Sequence, residues 1–393
     1  MNSAPRDISK KTFWLILCAL ILARIIVVLL LMHNIPYTNV KEGGWWFYHG
    51  GDEQCYFNLA KAISKGKLVP EIFPLGYPLF LSPFIYFSQA NQIKDIVKPV
   101  FFIQAILFFS FAIVVIALLA QELFQSYKIS ALCAAIFTFH PQIFYLFFHQ
   151  LGPYYPELGL TRGNMAFQSL SWLQIISDPL SAILVYFSFF LFLIIINRKT
   201  TPNAFLFLLG AVAGYSALVR VPNIFIVGII VLGLLLKKGL KEAARVALIA
   251  LLVFSLQLIY NQIYHGFFLR FGQQAFPTDY QNLFSPSSLN LGRWIDIFQR
   301  AYFYVPIIIC FFPLFLTLII LGLKYFWEKD KTIAILLGLW FFSYFGFYTL
   351  FSLGGIQFRY FIPAIPPLIF IIIGSLLWVS QKLKTFTTPS LKE

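Results

Sequence analysis

The chain has 393 residues, of which 60% are hydrophobic and only 11% are charged, whereas a soluble domain averages about 45–50% apolar and about 25% charged residues. A water-soluble fold of this length cannot bury so much apolar surface, so the composition excludes a soluble globular protein. The formal net charge of +14 does not indicate nucleic-acid binding, because Lys and Arg gather in short loops between apolar runs, as in membrane proteins.

The first predicted element is an apolar run over residues 13–32, which follows Arg6, Lys10 and Lys11. About 20 apolar residues cross a bilayer as a helix, and no small-residue cleavage site of a signal peptide follows this run. We therefore expect a retained first span. Runs of this kind predict an all-α polytopic membrane protein, one integral membrane domain over residues 1–393, with about ten transmembrane helices: 13–32, 100–120, 130–148, 179–196, 204–219, 224–236, 246–260, 304–323, 332–351 and 361–379.

A shorter apolar segment, residues 74–87, contains Pro74, Pro78 and Pro83. Prolines remove backbone donors, which a helix in lipid must satisfy internally. If this segment does not cross the membrane, the basic loops that follow all share one side with the N-terminal tail. The positive-inside rule makes that side the cytoplasm. We expect a juxtamembrane segment on the outer face.

This topology predicts short cytoplasmic loops and long outer loops. The outer loops include residues 33–99, with juxtamembrane helices, and residues 149–178 and 261–303. Long loops held by a rigid scaffold commonly carry binding and catalytic residues. We therefore expect an extracytoplasmic site on a multi-pass protein of the cell (inner) membrane with a cytoplasmic N-terminus.

The first outer loop holds the adjacent acids Asp52 and Glu53, and Asp52, Tyr56 and Ala60 recur at helical spacing before Gly66. An acid at the start of a helix can be a simple cap. It can also act as a base, because a membrane-adjacent site of low dielectric tunes carboxyl pKa values. The proline-rich segment that follows could dock a lipid-borne substrate. Both interpretations of Asp52 remain open at this point.

Several motifs in this order resemble the GT-C glycosyltransferases, in particular the protein mannosyltransferase and aminoarabinose transferase branch, which uses polyprenyl-phosphate sugars. They are the Asp-Glu loop with its Pro-rich continuation FPLGYPLFLSP, then FTFHPQIFYLF, Ser177-Asp178-Pro179, GAVAGYSALVRVPNIFIV and QFRYFIPAIPPLIF. The chain departs from the family pattern in a longer connection over residues 150–176 and in Val221, which separates Arg220 from Pro222. These departures leave the subfamily and the acceptor open.

The resemblance implies that Asp52 is a general base that activates an acceptor hydroxyl or amine, with inversion at the sugar carbon. Glu53 and Asp178 complete the expected catalytic set, although Asp178 opens a predicted span and could be a cap. Arginine suits the phosphate leaving group because its planar fork can bond two oxygens. The expected phosphate-binding residues are Arg220, Arg359, Tyr360 and Arg270; Arg293 also lies on the outer side.

No two histidines have i, i+4 spacing, so the favoured expectation is a site without metal or cofactor, and a divalent metal is the minor alternative. The expected partners are a polyprenyl-phosphate-linked sugar donor, membrane lipid and a lipid, glycan or protein acceptor, with no nucleic acid. Two other classes remain as alternatives. A flippase or transporter of lipid-linked sugars would favour charges at mid-membrane depth, where only Arg24 lies. A polysaccharide polymerase or ligase would use a diphosphate-linked oligosaccharide.

Overall fold

Helices form every regular element in the part of the chain that the computed structural model describes, which comprises residues 7–34, 52–71, 73–151, 172, 175–270, 314–351 and 358–387. The predicted outer-side residue Arg293 and most of the long outer loop 261–303 lie outside these ranges. Twelve helices occupy the described ranges: α1 Lys10–Asn34, α2 Asp52–Ser64, α3 Gly76–Ser88, α4 Lys94–Phe124, α5 Tyr127–Leu151, α6 Ser177–Asn197, α7 Asn203–Val219, α8 Ile224–Lys237, α9 Leu240–His265, α10 314–329, α11 Lys331–Phe351 and α12 Ile365–Thr387.

Within the described ranges, five stretches are long and apolar enough to cross a membrane: Lys10–Leu30, Lys94–Phe124, Ser177–Asn197, Leu240–His265 and Tyr360–Leu383. Three shorter apolar stretches accompany them: Asn203–Val219, Val221–Lys237 and Lys331–Tyr344. The chain is therefore a multi-pass membrane protein. The expected number of about ten spans is not confirmed by these helices.

Hydrogen bonds and an ion pair between helix ends show which helix ends lie together at one end of the bundle, which we call the basic end. Asp7, before α1, accepts hydrogen bonds from the backbone N–H groups of Tyr127 (2.9 Å) and Lys128 (2.8 Å) at the start of α5. Asn197, at the end of α6, donates to Glu122 of α4 (2.7 Å). In the same way, α8 meets the start of α11 and α9 meets the start of α7, through Lys237–Asp330 (2.7 Å) and Arg245–Asn203 (2.9 Å).

Helix α3 begins and ends at the opposite end of the bundle, which we call the site end. Its 13 residues extend about 20 Å, less than the roughly 30 Å of a bilayer core. Gly76 at its start lies against Leu218 and Val219, the last residues of α7. Shortly after its end, the Asn91 carbonyl accepts a hydrogen bond from Lys61 of α2 (2.8 Å). Helices α2 and α3 therefore lie together beside the same helix ends.

Close backbone packing joins α7 to α9, the most extensive helix pair in the described part. A Cβ at Gly214 would lie 2.5 Å from the Ala250 carbonyl oxygen, so only glycine permits this approach. Small residues at helix contacts provide van der Waals packing in lipid, where the hydrophobic effect between helices is absent. This contact holds α9 beside the helix end that carries Arg220.

One cation, Arg24 of α1, is buried inside the bundle with 1% of its surface exposed. Its guanidinium carbon lies 4.0 Å from the centre of the Phe109 ring. None of its three side-chain nitrogens has a hydrogen-bond partner among the described residues. Arg24 is therefore held by a cation–π contact to α4.

Candidate active site

Four chain segments converge at the site end. They are the start of α2, the start of α6, the α7–α8 junction and a short 3₁₀ helix, Phe358–Ala364, that precedes α12. Helices α6 and α7 each have their other end at the basic end, so Asp178 and Arg220 lie on the same side of the bundle. The sequence separation between these segments is large, and tertiary packing alone brings them together.

Asp178 and Arg220 form an ion pair, in which Nη1 of Arg220 donates to Oδ1 of Asp178. The side chains are 4% and 14% exposed, respectively. Asp178 is the second residue of α6, where the helix dipole favours a negative charge. A charge this far from water is tolerated when it is paired and hydrogen-bonded. The pair therefore places one carboxylate and one guanidinium in a fixed arrangement just inside the protein surface.

The backbone around Arg220 is extended (φ −145°, ψ 118°) between α7 and a 3₁₀ turn, Val221–Asn223. The side chain of Asn223 fixes this break. It donates to Ser181 Oγ and to the Ser216 carbonyl, both at 2.8 Å, and it accepts from the Tyr344 hydroxyl at 2.6 Å. Three helices thus hold the junction, and the Arg220 side chain projects from it toward Asp178.

Tyr360 covers the guanidinium of Arg220, whose central carbon lies 4.8 Å from the ring centre. The 3₁₀ helix that carries Tyr360 is itself held by two side chains. Tyr186 of α6 donates to the Ile362 carbonyl (2.5 Å), and Trp340 of α11 donates to the Pro363 carbonyl (3.0 Å). The cation–π contact therefore joins two segments that are each held in place, the α7–α8 junction and the 3₁₀ helix.

Helix α2 brings its acids to the same region. Asp52 is its first residue and is half-buried, and Glu53 is buried with 2% exposed. One turn further, the Tyr56 hydroxyl shares a hydrogen bond of 2.9 Å with Ser177 Oγ, next to Asp178. Burial raises the pKa of Tyr56; the Ser177 hydrogen bond and the Arg220 charge oppose this, and Asp52 and Asp178 add to it. Asp52, Asp178 and Arg220 therefore all lie close enough to act on one phenol.

The remaining predicted cations have different positions. Arg270 is exposed just beyond α9, where its backbone N–H donates to Phe267 and its charge acts on His265. Arg359 belongs to the 3₁₀ helix beside Tyr360, and its side chain lies outside what the structure describes. The structure thus joins Asp178, Arg220 and Tyr360 directly and brings Asp52 near them.

Sequence reasoning did not assign roles to the polar residues that hold this site together. Asn223, Gln104, Tyr186 and Trp340 are buried, and each makes a hydrogen bond between helices. The available signal was a polar side chain within an apolar run, which in membrane proteins usually faces the bundle interior. Gln104, within the predicted span 100–120, carried that signal most clearly.

Among the residues that the structure describes, no group of three His, Cys, Asp or Glu side chains could hold a metal ion. The described acids at the site end include Asp178, which is engaged by Arg220, and Asp52 and Glu53 of α2.

No known family model matches the chain, and the search of curated proteins found no match to its sequence. Solved structures of the Archaeoglobus fulgidus oligosaccharyltransferase share its architecture. One, in complex with Zn and sulfate, has 14% identity and a TM-score of 0.55 over 95% of this chain and 50% of its own. The archaeal oligosaccharyltransferase AglB, in complex with an inhibitory peptide and a dolichol-phosphate, has 13% identity and a TM-score of 0.55 over 98% and 52%. The apo form has 14% identity and a TM-score of 0.52 over 96% and 52%.

This likeness shows the fold, and the chain spans about half the length of these structures. At 13–14% identity the likeness is one of fold alone. It does not support the narrower mannosyltransferase and aminoarabinose transferase branch.

Proposed function

We propose that the chain is an integral membrane glycosyltransferase that transfers a sugar from a polyprenyl-phosphate donor to an acceptor at the site end, with inversion. The observation that carries the proposal is the Asp178–Arg220 pair under Tyr360, with Asp52 of α2 nearby. A partly buried, positioned cation with a half-buried acid nearby suits a reaction in which a proton leaves the acceptor and negative charge grows on a phosphate.

In this mechanism Asp52 accepts the proton of the acceptor hydroxyl or amine. The acceptor atom then forms a bond to the anomeric carbon, the bond from that carbon to the phosphate oxygen breaks, and its electron pair leaves with the polyprenyl phosphate. Attack opposite the leaving group inverts the configuration at the carbon. The half-buried position of Asp52 leaves it open to an acceptor from the water phase.

Arg220 bonds the phosphate as its charge grows, since a guanidinium can engage two phosphate oxygens. Asp178 and Tyr360 hold the guanidinium in place from two sides, which spares reorganisation during the reaction. Arg359, next to Tyr360 in the same 3₁₀ helix, is a second phosphate ligand in this proposal. Glu53 supports Asp52, and Arg270 is an outlying cation for the donor.

The site end faces away from the cytoplasm in this proposal, and the basic end faces the cytoplasm of the cell (inner) membrane. Support comes from the basic residues that flank the helix ends at the basic end, such as Lys128, Lys237 and Arg245, which the positive-inside rule favours in the cytoplasm. The AglB structure that shares the fold contains a dolichol-phosphate, which supports a polyprenyl-phosphate donor here.

The direct test is incubation of the purified protein with a panel of labelled undecaprenyl- and dolichyl-phosphate sugars and with diphosphate-linked oligosaccharides. We expect transfer from a monophosphate sugar, with strong loss in Arg220→Gln. Transfer only from the diphosphate-linked donor would favour a polymerase or ligase. Movement of intact donor across a vesicle membrane without transfer would favour a flippase.

A further inference from the structure

Polar side chains from three helices converge on the two residues that precede Asp178. Tyr56 of α2 shares a hydrogen bond with Ser177 Oγ (2.9 Å). Gln104 of α4 donates to the Ile176 carbonyl (3.2 Å) and accepts from the hydroxyl of Tyr77 of α3 (2.7 Å). The start of α6 is therefore bonded to α2 and α4 directly, and to α3 through Gln104.

These bonds anchor the start of α6, which has no side-chain cap. Ile176, the N-cap residue, is extended and provides no side-chain hydrogen bond to the first turn. Tyr56, Tyr77, Gln104 and Ser177 are each at most 5% exposed. Buried polar groups of this kind are stable only with partners. The first turn of α6 is thus held by the surrounding helices.

The Tyr56–Ser177 hydrogen bond connects two helix turns that carry site residues. Asp52 and Tyr56 are four residues apart on α2, which places them on the same face, one turn from each other. Ser177 is the neighbour of Asp178, which pairs with Arg220. One hydrogen bond therefore joins the turn that carries Asp52 to the turn that carries the partner of Arg220.

We infer that Tyr56 is a positioning residue of the transferase, which with Ser177 sets the separation between Asp52 and Arg220. This inference rests on the proposed function. Asp52 must reach the acceptor while Arg220 reaches the donor phosphate, so their separation must match the substrate pair. Gln104 and Tyr77 support the same turn from the other side.

A double-mutant cycle on kcat tests the inference. Tyr56→Phe and Ser177→Ala should each lower kcat about tenfold, since misplaced reacting groups cost rate steeply, with little change in the KM of the donor. The double variant should be no slower than either single variant, because both remove one bond. Ser177→Thr keeps the hydroxyl and should retain wild-type kcat.

Tyr264→Phe is the matched control, because it also removes one tyrosine hydrogen bond, to the Leu68 carbonyl (2.9 Å), without touching the start of α6. It should leave kcat unchanged. Losses that multiply in the double variant, or an equal loss in Tyr264→Phe, would overturn the inference. If the wild-type chain transfers no sugar from any donor, the proposed function itself fails.

A distance measurement tests the positioning without any activity. Spin labels at two exposed positions, Asn58 of α2 and Ile224 of α8, report on how the start of α2 sits relative to the Arg220 junction, in a chain whose four cysteines are replaced. Tyr56→Phe should broaden the distance distribution, and Tyr264→Phe should not. An unchanged distribution in Tyr56→Phe would rule out the positioning role whether or not the protein is active.

Discussion

At the scale of single residues, the Asp178–Arg220 pair makes an asymmetric prediction for stability. Removing one partner leaves a charge with little access to water, which costs about 3 kcal/mol for a buried pair. We therefore expect Asp178→Asn to lower the unfolding free energy more than the double variant Asp178→Asn with Arg220→Gln. Unfolding in a detergent titration measures both. Equal or additive losses would show that the two charges are not coupled.

Arg24 gives the opposite prediction. The cost of burying its charge is offset by the cation–π contact with Phe109. Among the described residues, its side-chain nitrogens have no hydrogen-bond partner. An apolar side chain of similar length avoids the desolvation penalty. Arg24→Met should therefore leave the unfolding free energy unchanged or raise it by about 1 kcal/mol. A loss of several kcal/mol on detergent unfolding would mean that Arg24 has a partner in the membrane that this arrangement lacks.

At the scale of elements, the α3–α7 contact depends on Gly76. A Cβ there would lie 2.5 Å from the backbone nitrogen of Val219, next to Arg220, and a rigid backbone cannot move aside. Gly76→Ala should cost about 1–3 kcal/mol through overpacking and lower the transfer rate. Gly228→Ala on α8 is the control, because a Cβ there meets nothing within 4 Å. Equal thermal stability of the two variants would contradict this account of the helix contact.

Asp7 provides a pH-dependent prediction for the start of α5. Slight burial raises its pKa, but hydrogen bonds from Lys128, Tyr127, Ile8 and Ser126 lower it by more, so the folded-state pKa lies below its ordinary value. Its contribution to stability is therefore present above the unfolded pKa and is lost as pH falls through the folded pKa. Thermal melts between pH 6 and acid pH should show a smaller acid-induced loss in Asp7→Ala. The same loss in both proteins would exclude this cap as a source of acid sensitivity.

At the scale of the whole molecule, the multi-pass membrane class and the all-helical fold could be predicted from the apolar runs. Charge in the loops also predicted that Lys128, Arg198 and Lys237 would share one end of the bundle, because short basic loops alternate with spans. The partners Tyr56–Ser177, Gln104–Ile176 and Asp178–Arg220 could not be predicted. They lie 42 to 121 residues apart, and no local pattern specifies which helix end meets which. Arg270 shows the converse, since its predicted place on the same side as the site did not identify it as a partner of Asp178, which pairs with Arg220.

The central claim is that this bundle end transfers sugar with Asp52 as the base. The most direct measurement compares initial rates of transfer for Asp52→Asn and Glu242→Gln, both purified and correctly inserted. Glu242 is a half-exposed acid in the first turn of α9, at the basic end. Like Asp52 it is a partly exposed carboxylate at a helix start, but it lies at the opposite end of the bundle from the site. The account predicts that Asp52→Asn loses nearly all transfer from a polyprenyl-phosphate sugar while Glu242→Gln keeps the wild-type rate. Wild-type transfer by Asp52→Asn would contradict it.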